Sequence, residues 1–251
     1  MLLKLVILTL GTLAAAEDLN FTFNGFQSAN LYLDDIAGVT PNGLLRLTNE
    51  TKQNQGHGFY PNSITFKNSS NDTVFSFSTT FVFATRSEYA DLSGHGIAFV
   101  VAPTQGLPSA LPNQYLGLFN KSNTGNDTNH VFAVELDTIP GKEFNDINDN
   151  HVGIDINGLH SKKAAPAAYY DPNNGRFQNL TLISGQPMKV WVEYDGANKQ
   201  IDVTLAPINV DKPHTPLLSL NLDLSPILNE TMHVGFSSST RSVLTSHYVL
   251  G

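Results

Sequence analysis

The pattern of this 251-residue sequence predicts an all-β fold, a sandwich of antiparallel sheets. Apolar residues recur at every second position in short runs. Turn-forming residues separate those runs, and beyond the N-terminal segment no stretch of useful length keeps an apolar stripe at helical spacing. Residues 1–16 read as a secretory signal peptide: Lys4 is the lone basic residue, Leu5 to Leu13 is apolar, and Ala14-Ala15-Ala16 offers a small-residue cleavage site. A buried N-terminal strand is the alternative for that segment. From 17 to 251 there is no linker-like shift in composition and no internal repeat, so one domain is expected.

The strands follow in order. Val74 to Phe83 alternates cleanly, with Phe75, Phe77, Phe81 and Phe83 on one face and Ser76, Ser78 and Thr80 on the other. Further runs cover Gly96–Val101, Val131–Leu136, Val152–Ile156, Lys189–Tyr194, Ile201–Leu205 and His233–Phe236. Turns are marked by Pro41-Asn42-Gly43, Asp171-Pro172-Asn173-Asn174-Gly175 and Asp195-Gly196. Trp191, alone in an alternating run, reads as a core residue, and the phenylalanine stripe reads likewise.

Composition excludes some partners. The formal net charge of -8 argues against nucleic acid or an anionic membrane. There is no cysteine, hence no disulfide framework, and no later apolar run is long enough to span a membrane. Asn20, Asn49, Asn68, Asn71, Asn120, Asn126, Asn179 and Asn229 each open an Asn-x-Ser/Thr sequon without proline. Eight such sites spread along the chain predict a glycoprotein with its modified residues in surface loops.

The chemistry concentrates in residues 134–151, Val-Glu-Leu-Asp-Thr-Ile-Pro-Gly-Lys-Glu-Phe-Asn-Asp-Ile-Asn-Asp-Asn-His. Glu135 and Asp137 are two apart at the end of an apolar strand, so both carboxylates leave from one face. A loop then supplies Asp146, and His151 opens the next strand-like run. Carboxylates and an imidazole returning to one place suit a divalent metal, nitrogen for a transition ion and oxygen for calcium. A solvated acidic loop is the plainer reading. An EF-hand is excluded, because His151 stands at position six and Asn157 at position twelve of the loop opened by Asp146, where glycine and glutamate are needed.

From about Leu19 to Gly251 the sequence resembles the legume lectin family, in particular the lectin-like ectodomains of plant receptor kinases. The residues are Phe21-Thr-Phe-Asn-Gly-Phe, Gly94-His-Gly-Ile-Ala-Phe-Val-Val-Ala-Pro, Tyr115-Leu-Gly-Leu-Phe-Asn, the acidic run through Gly153-Ile-Asp-Ile-Asn, Val190-Trp-Val-Glu-Tyr and Val234-Gly-Phe-Ser-Ser-Ser-Thr, in that order. The resemblance implies a jelly-roll sandwich of the concanavalin A-like lectin fold, with Mn²⁺ and Ca²⁺ side by side beneath a shallow sugar site. By residue, it implies Glu135, Asp137, Asp146 and His151 as transition-metal ligands, and Ser161 as the hydroxyl that holds a metal-bound water. Asp137 and Asp146 would be shared with calcium, which also takes the Ile139 carbonyl.

Two positions depart from the family's sugar site. His95 stands where a sugar-binding aspartate is usual, and Gly141 stands where an asparagine ligates calcium and donates to the sugar. The second sugar loop corresponds to Asn113-Gln114, and Arg241 falls near the variable fourth loop, where an anionic ligand could meet it. Charge-assisted hydrogen bonds contribute about 1.5–3 kcal/mol each against ~0.5–1.5 for neutral ones, so binding of simple hexoses is expected to be degraded. His95 is otherwise expected to be a partly exposed loop histidine.

Three functions follow from these readings. The first is a non-catalytic carbohydrate-recognition domain, secreted or at the cell surface, taking a glycan or another small extracellular ligand; a homodimer is compatible with it. The second is the ectodomain fragment of a lectin receptor kinase sensing a non-sugar ligand such as a nucleotide, a peptide or an apolar molecule. The chain stops at His247-Tyr-Val-Leu-Gly251, inside what reads as a final strand, and a gap in one sheet is expected there. The third is a glycoside hydrolase, which needs two carboxylates across the scissile bond. Glu135-Leu-Asp137 is followed by Thr138, Ile139, Pro140 and Gly141, so the completing acid is missing and Glu143 lies in the loop.

Overall fold

The computed structural model describes residues 19–68 and 70–251, so the expected signal peptide lies outside the described residues. Two large antiparallel sheets face one another. The front sheet runs Tyr32–Asp35, Gln55–Phe59, Thr231–Ser239, Gly96–Ala102, Phe132–Asp137, His151–Ile156 and Lys163–Pro166, with Ile64–Thr65 also against Thr231–Ser239. The back sheet runs Leu218–Asn221, Gln200–Pro207, Met188–Asp195, Phe77–Ser87, Thr245–Val249, Leu45–Thr48 and Gly38–Val39. The all-β sandwich expected from the alternation is the fold observed.

The main core fills the space between the sheets. Ile97, Phe99, Val101, Phe132, Val134, Leu136, Val152 and Ile154 project from the front, and Phe81, Phe83, Val190, Val192, Ile201, Val203 and Leu205 meet them from the back. Aromatic contacts bridge the layers: Phe81 meets Phe236 edge-on at 4.9 Å between ring centroids and stacks with Phe99 at 6.1 Å, while Phe99 meets Phe236 edge-on at 6.0 Å. Edge-to-face geometry of this kind adds to the area term. Phe99→Ala is therefore expected to cost about 3–5 kcal/mol, read as a fall in the denaturation midpoint at unchanged slope.

A second apolar cluster covers the outer face of the front sheet. Phe59, Ala98, Val100 and Ala133 pack there against Leu116, Leu118, Phe119, Phe144 and Leu159 from the long loops. Strands Gly96–Ala102 and Phe132–Asp137 are consequently buried along their whole length. The expected alternation of covered and solvated faces fails for these two strands because loops distant in sequence fold over them. That cover is what takes the outward-pointing Glu135 out of water.

Three further expectations are corrected. The Val74–Phe83 run is broken: a two-residue strand ends at Val74, the long strand starts at Phe77, and Phe75 lies between them with its N–H donating to the Phe66 carbonyl. Trp191 is not in the core. The register turns it to the outer face of the back sheet between Thr80 and Thr204, half-buried, with the Lys189 ammonium 5.4 Å from its ring centroid. The glycosylation sequons are accessible as expected, none of the eight asparagines being buried, but Asn68 and Asn179 end short strands instead of lying in loops.

At the last strand, Thr245–Val249 lies between Phe77–Ser87 and Leu45–Thr48. Its pairing with the long strand reaches Val82, which donates its N–H to the Gly251 carbonyl and accepts from the Leu250 N–H. Beside the remainder of the long strand lies a cavity of about 2440 Å³, lined in part by Phe21, Phe23, Phe77, Phe81, Tyr60 and Gly251.

Candidate metal and ligand site

Antiparallel register gathers the site at one edge of the front sheet. Asp137 ends its strand opposite both Gly96 and His151, and Ser239 ends another opposite Gly96. Period two puts Ala133, Glu135 and Asp137 on the outer face of one strand and His151, Gly153 and Asp155 on that of its neighbour. Glu135 stands directly across from Gly153, with His151 and Asp155 diagonal to it. Gly153 is required for space: a Cβ there would lie 2.1 Å from Ser161 Oγ and 2.4 Å from Glu135 Oε1.

Glu135, Asp137 and His151 each present a ligand atom within 4.8 Å of the others, and all three are buried. His151 Nδ1 lies 2.9 Å from the Asn148 carbonyl oxygen, and Nε2 lies 3.3 Å from Glu135 Oε1. Donation from Nδ1–H to that carbonyl frees Nε2 for a cation, the usual way a metal-ligating imidazole is oriented. Asp146 is half-buried in the loop, its Oδ2 accepting from the Gly141 N–H. Its charge acts on both Glu135 and His151, although it stands outside the tight cluster. The Ile139 N–H donates to Asp137 Oδ1 at 2.7 Å, which bends the loop back over the carboxylate.

Ser161 Oγ lies 2.7 Å from Glu135 Oε1 and 2.8 Å from Asp155 Oδ1. One hydroxyl proton serves two carboxylate oxygens, so the pair holds a further proton or a cation nearby. Asp155 is fully buried and its Oδ2 has no partner. Burial and the charge of Glu135 push its carboxyl well above the usual range, and the same two causes push Asp137 up. For His151, burial pulls the imidazole down, but the hydrogen bond and charge of Glu135 outweigh it and the net direction is upward.

Asp155 is the site residue that the sequence reading missed. The signal was present, since His151, Gly153 and Asp155 alternate in one strand, but only the pairing of that strand with Glu135 assigns the face. Three buried carboxylates meet here, and among the described residues the one basic side chain paired with them is His151. This donor set fits a divalent ion, because carboxylate oxygens and an imidazole nitrogen suit one and burying carboxylates without a countercharge is costly.

The sugar-site positions are arranged differently from expectation. His95 is 1% exposed, not partly exposed, and neither ring nitrogen has a hydrogen-bond partner. Burial, then the Arg241 charge, lowers its imidazole to about 4. Arg241 itself is exposed. Asn113 and Gln114 lie half-buried in a 3₁₀ turn, and the Asn113 carbonyl accepts from Ser239 Oγ at 2.7 Å, so this loop does come to the sheet end that carries Asp137 and His151. Gly141 starts the turn Lys142–Phe144; a Cβ on it would lie 2.9 Å from Phe144 Cδ2 and 3.0 Å from Asp146 Oδ2. Phe144 meets Tyr115 and His160 edge-on at 5.9 and 6.0 Å.

A two-sheet sandwich with buried acidic and histidine side chains at its loop-bearing edge defines a lectin-type domain. The legume lectin domain matches residues 18–251, and the chain belongs to that family. It is similar to two curated receptor kinases that contain an L-type lectin domain. With IV.1 of Arabidopsis thaliana it shares 60% identity over 240 residues, covering 95% of this chain and 35% of the relative. With SIT2 of Oryza sativa subsp. japonica it shares 51% over 250 residues, covering 98% and 37%. The chain thus spans about a third of the length of these relatives. Among solved structures, lectin II from Ulex europaeus superimposes with a TM-score of 0.75 at 28% identity, covering 93% of this chain and 98% of that one. The Lotus tetragonolobus seed lectin gives 0.77 at 25% identity, covering 92% and 95%.

Proposed function

We propose that this chain is a non-catalytic extracellular recognition domain whose loops are pinned by metal and whose site for simple hexoses is degraded. The support for the metal is the buried Glu135–Asp137–His151 cluster. In this reading Glu135, Asp137, Asp146 and His151 hold Mn²⁺. Asp137, Asp146 and the Ile139 carbonyl hold Ca²⁺, and Ser161 and Asp155 orient Glu135. When bound, the ions supply positive charge that keeps the buried carboxylates ionised and fixes the 138–150 loop.

The single observation that carries the ligand reading is the pairing of a buried His95 with Gly141. A sugar hydroxyl needs an exposed acceptor and donor at these two places; here one side chain is covered and the other absent. Arg241, exposed beside His95, and the half-buried Asn113 and Gln114 remain for a different extracellular ligand. A nucleotide, a peptide or an apolar molecule would fit a receptor ectodomain, and the receptor kinases among the relatives favour that role. It places the domain on the outer face of the plasma membrane or in secretion, with the sequons facing solvent. Among the described residues no helix is long and apolar enough to cross a membrane.

A glycan array with Mn²⁺ and Ca²⁺, repeated in chelator, tests this. The expected result is no metal-dependent retention of mannose or galactose glycans. Gly141→Asn is not expected to restore it, because the new side chain would press on Phe144 and Asp146. Strong metal-dependent hexose binding by the wild-type chain would overturn the reading.

A further inference from the structure

A second group of metal-ligand type lies on the same face of the front sheet, across the intervening strands from the first. Asp34 and Asp35 end the edge strand, and His57 belongs to its neighbour, opposite Asp34 in the register. His57 Nδ1 lies 3.9 Å from Asp34 Oδ2 and 3.6 Å from Asp35 Oδ2. The His57 side chain is wholly buried, while the carboxylates are 39% and 40% exposed.

The other ring nitrogen decides what Nδ1 presents. Nε2 lies 2.7 Å from the Gly117 carbonyl oxygen, which can only accept, so Nε2 carries the proton. Nδ1 has no hydrogen-bond partner. A protonated Nδ1 paired with a carboxylate would close to about 2.7–2.9 Å. The observed separations are longer than that. Nδ1 therefore offers a lone pair to two carboxylates, with no donor among the three groups.

The carboxylates are also held in place. Asp34 Oδ1 accepts from the Asp35 N–H at 2.8 Å, which leaves Oδ2 toward His57. Gln55 Nε2 donates to Asp35 Oδ2 at 2.8 Å and to the Ala110 carbonyl at 3.1 Å. Gly106 closes over the group: a Cβ there would lie 2.7 Å from Asp34 Oδ2. Metal bonds of about 2.0–2.2 Å let one ion reach ligand atoms up to roughly 4 Å apart.

We propose that Asp34, Asp35 and His57 Nδ1 form a second divalent-cation site, of the zinc class, that ties the edge strand to its neighbour. Nitrogen plus two carboxylates suits such an ion, and the exposed side of the carboxylates leaves room for water as further ligands. The lone pair is set by the Gly117 carbonyl in the way that Asn148 sets it for His151.

Zinc titration of the whole chain, followed by ¹⁵N NMR of the histidine rings, tests this with the two sites resolved. The expected result is a shift of the His57 Nδ1 resonance with the Nε2 proton retained. Asp34→Asn and Asp35→Asn each lower the zinc affinity seen at His57 by about tenfold or more and leave the His151 response unchanged. Both variants keep shape at exposed positions, and an unaltered unfolding midpoint in chelator shows them folded. The proposal is overturned if His57 carries its proton on Nδ1 without metal. It is equally overturned if millimolar zinc moves His151 alone, or if both variants bind as wild type does.

Discussion

Loading the Glu135 cluster with Mn²⁺ and Ca²⁺ is expected to raise the unfolding midpoint by about 5–10 °C relative to the chelated protein. The reason lies in three carboxylates, Glu135, Asp137 and Asp155, that the loops remove from water. Without an ion, burial and mutual repulsion drive Asp137 and Asp155 toward their neutral forms. A bound divalent cation reverses that balance and binds only where the strands have paired. Ligand at 100 times its dissociation constant then adds about 2.7 kcal/mol. Gly153→Ala provides the control. Its Cβ would press on Ser161 Oγ and on Glu135 Oε1 and Cγ, so both side chains must leave the cluster. The variant is expected to have a lower midpoint than wild type in chelator and to gain nothing from metal. Scanning calorimetry with and without chelator reads both, and an indifferent wild-type midpoint would remove the metal from the proposed function.

Acid is expected to destabilise the protein through two buried histidines, His247 and His95. His247 is fully buried between the strands that carry Thr48 and Thr85, with Nδ1 2.6 Å from Thr48 Oγ1 and Nε2 without a partner. Burial, then the neighbouring His95, lowers its imidazole to about 3, while His95 stands at about 4. Unfolded, both take up a proton near 6.5. Between pH 6.5 and 4 the unfolded chain therefore binds more protons than the folded one, and stability falls as pH falls. Each imidazole contributes a slope of about 1.4 kcal/mol per pH unit.

The raised carboxylates Asp137 and Asp155 act in the opposite direction, because there the folded state holds the extra protons. A difference measurement isolates the histidine. The slope of stability against pH for His247→Asn should be shallower than that of wild type by about 1.4 kcal/mol per unit in this window. Parallel slopes in chemical denaturation from pH 6.5 to 4 would show that His247 is not held neutral.

Much of the Glu135–Asp137–His151 cluster was legible because it is local. Glu135 and Asp137 share a strand face by period two alone, and His151 opens the next strand after one loop. Asp155 alternates with His151 in the same strand, but its place beside Glu135 depends on the register between two strands. The second cluster was not legible: Asp34 and Asp35 meet His57 only through sheet pairing, and the Gly117 carbonyl that sets its tautomer arrives from another loop.

By itself the sequence determined the all-β class, the strands near their observed places, and which carboxylates leave a strand together. These depend on alternation and turn chemistry, which act over a few residues. Tertiary structure alone decided that His95 is covered, that Trp191 faces outward, and that Glu135 lies beneath the loops instead of in water. Period two separates the two faces of a strand, but what covers a face comes from segments tens of residues away.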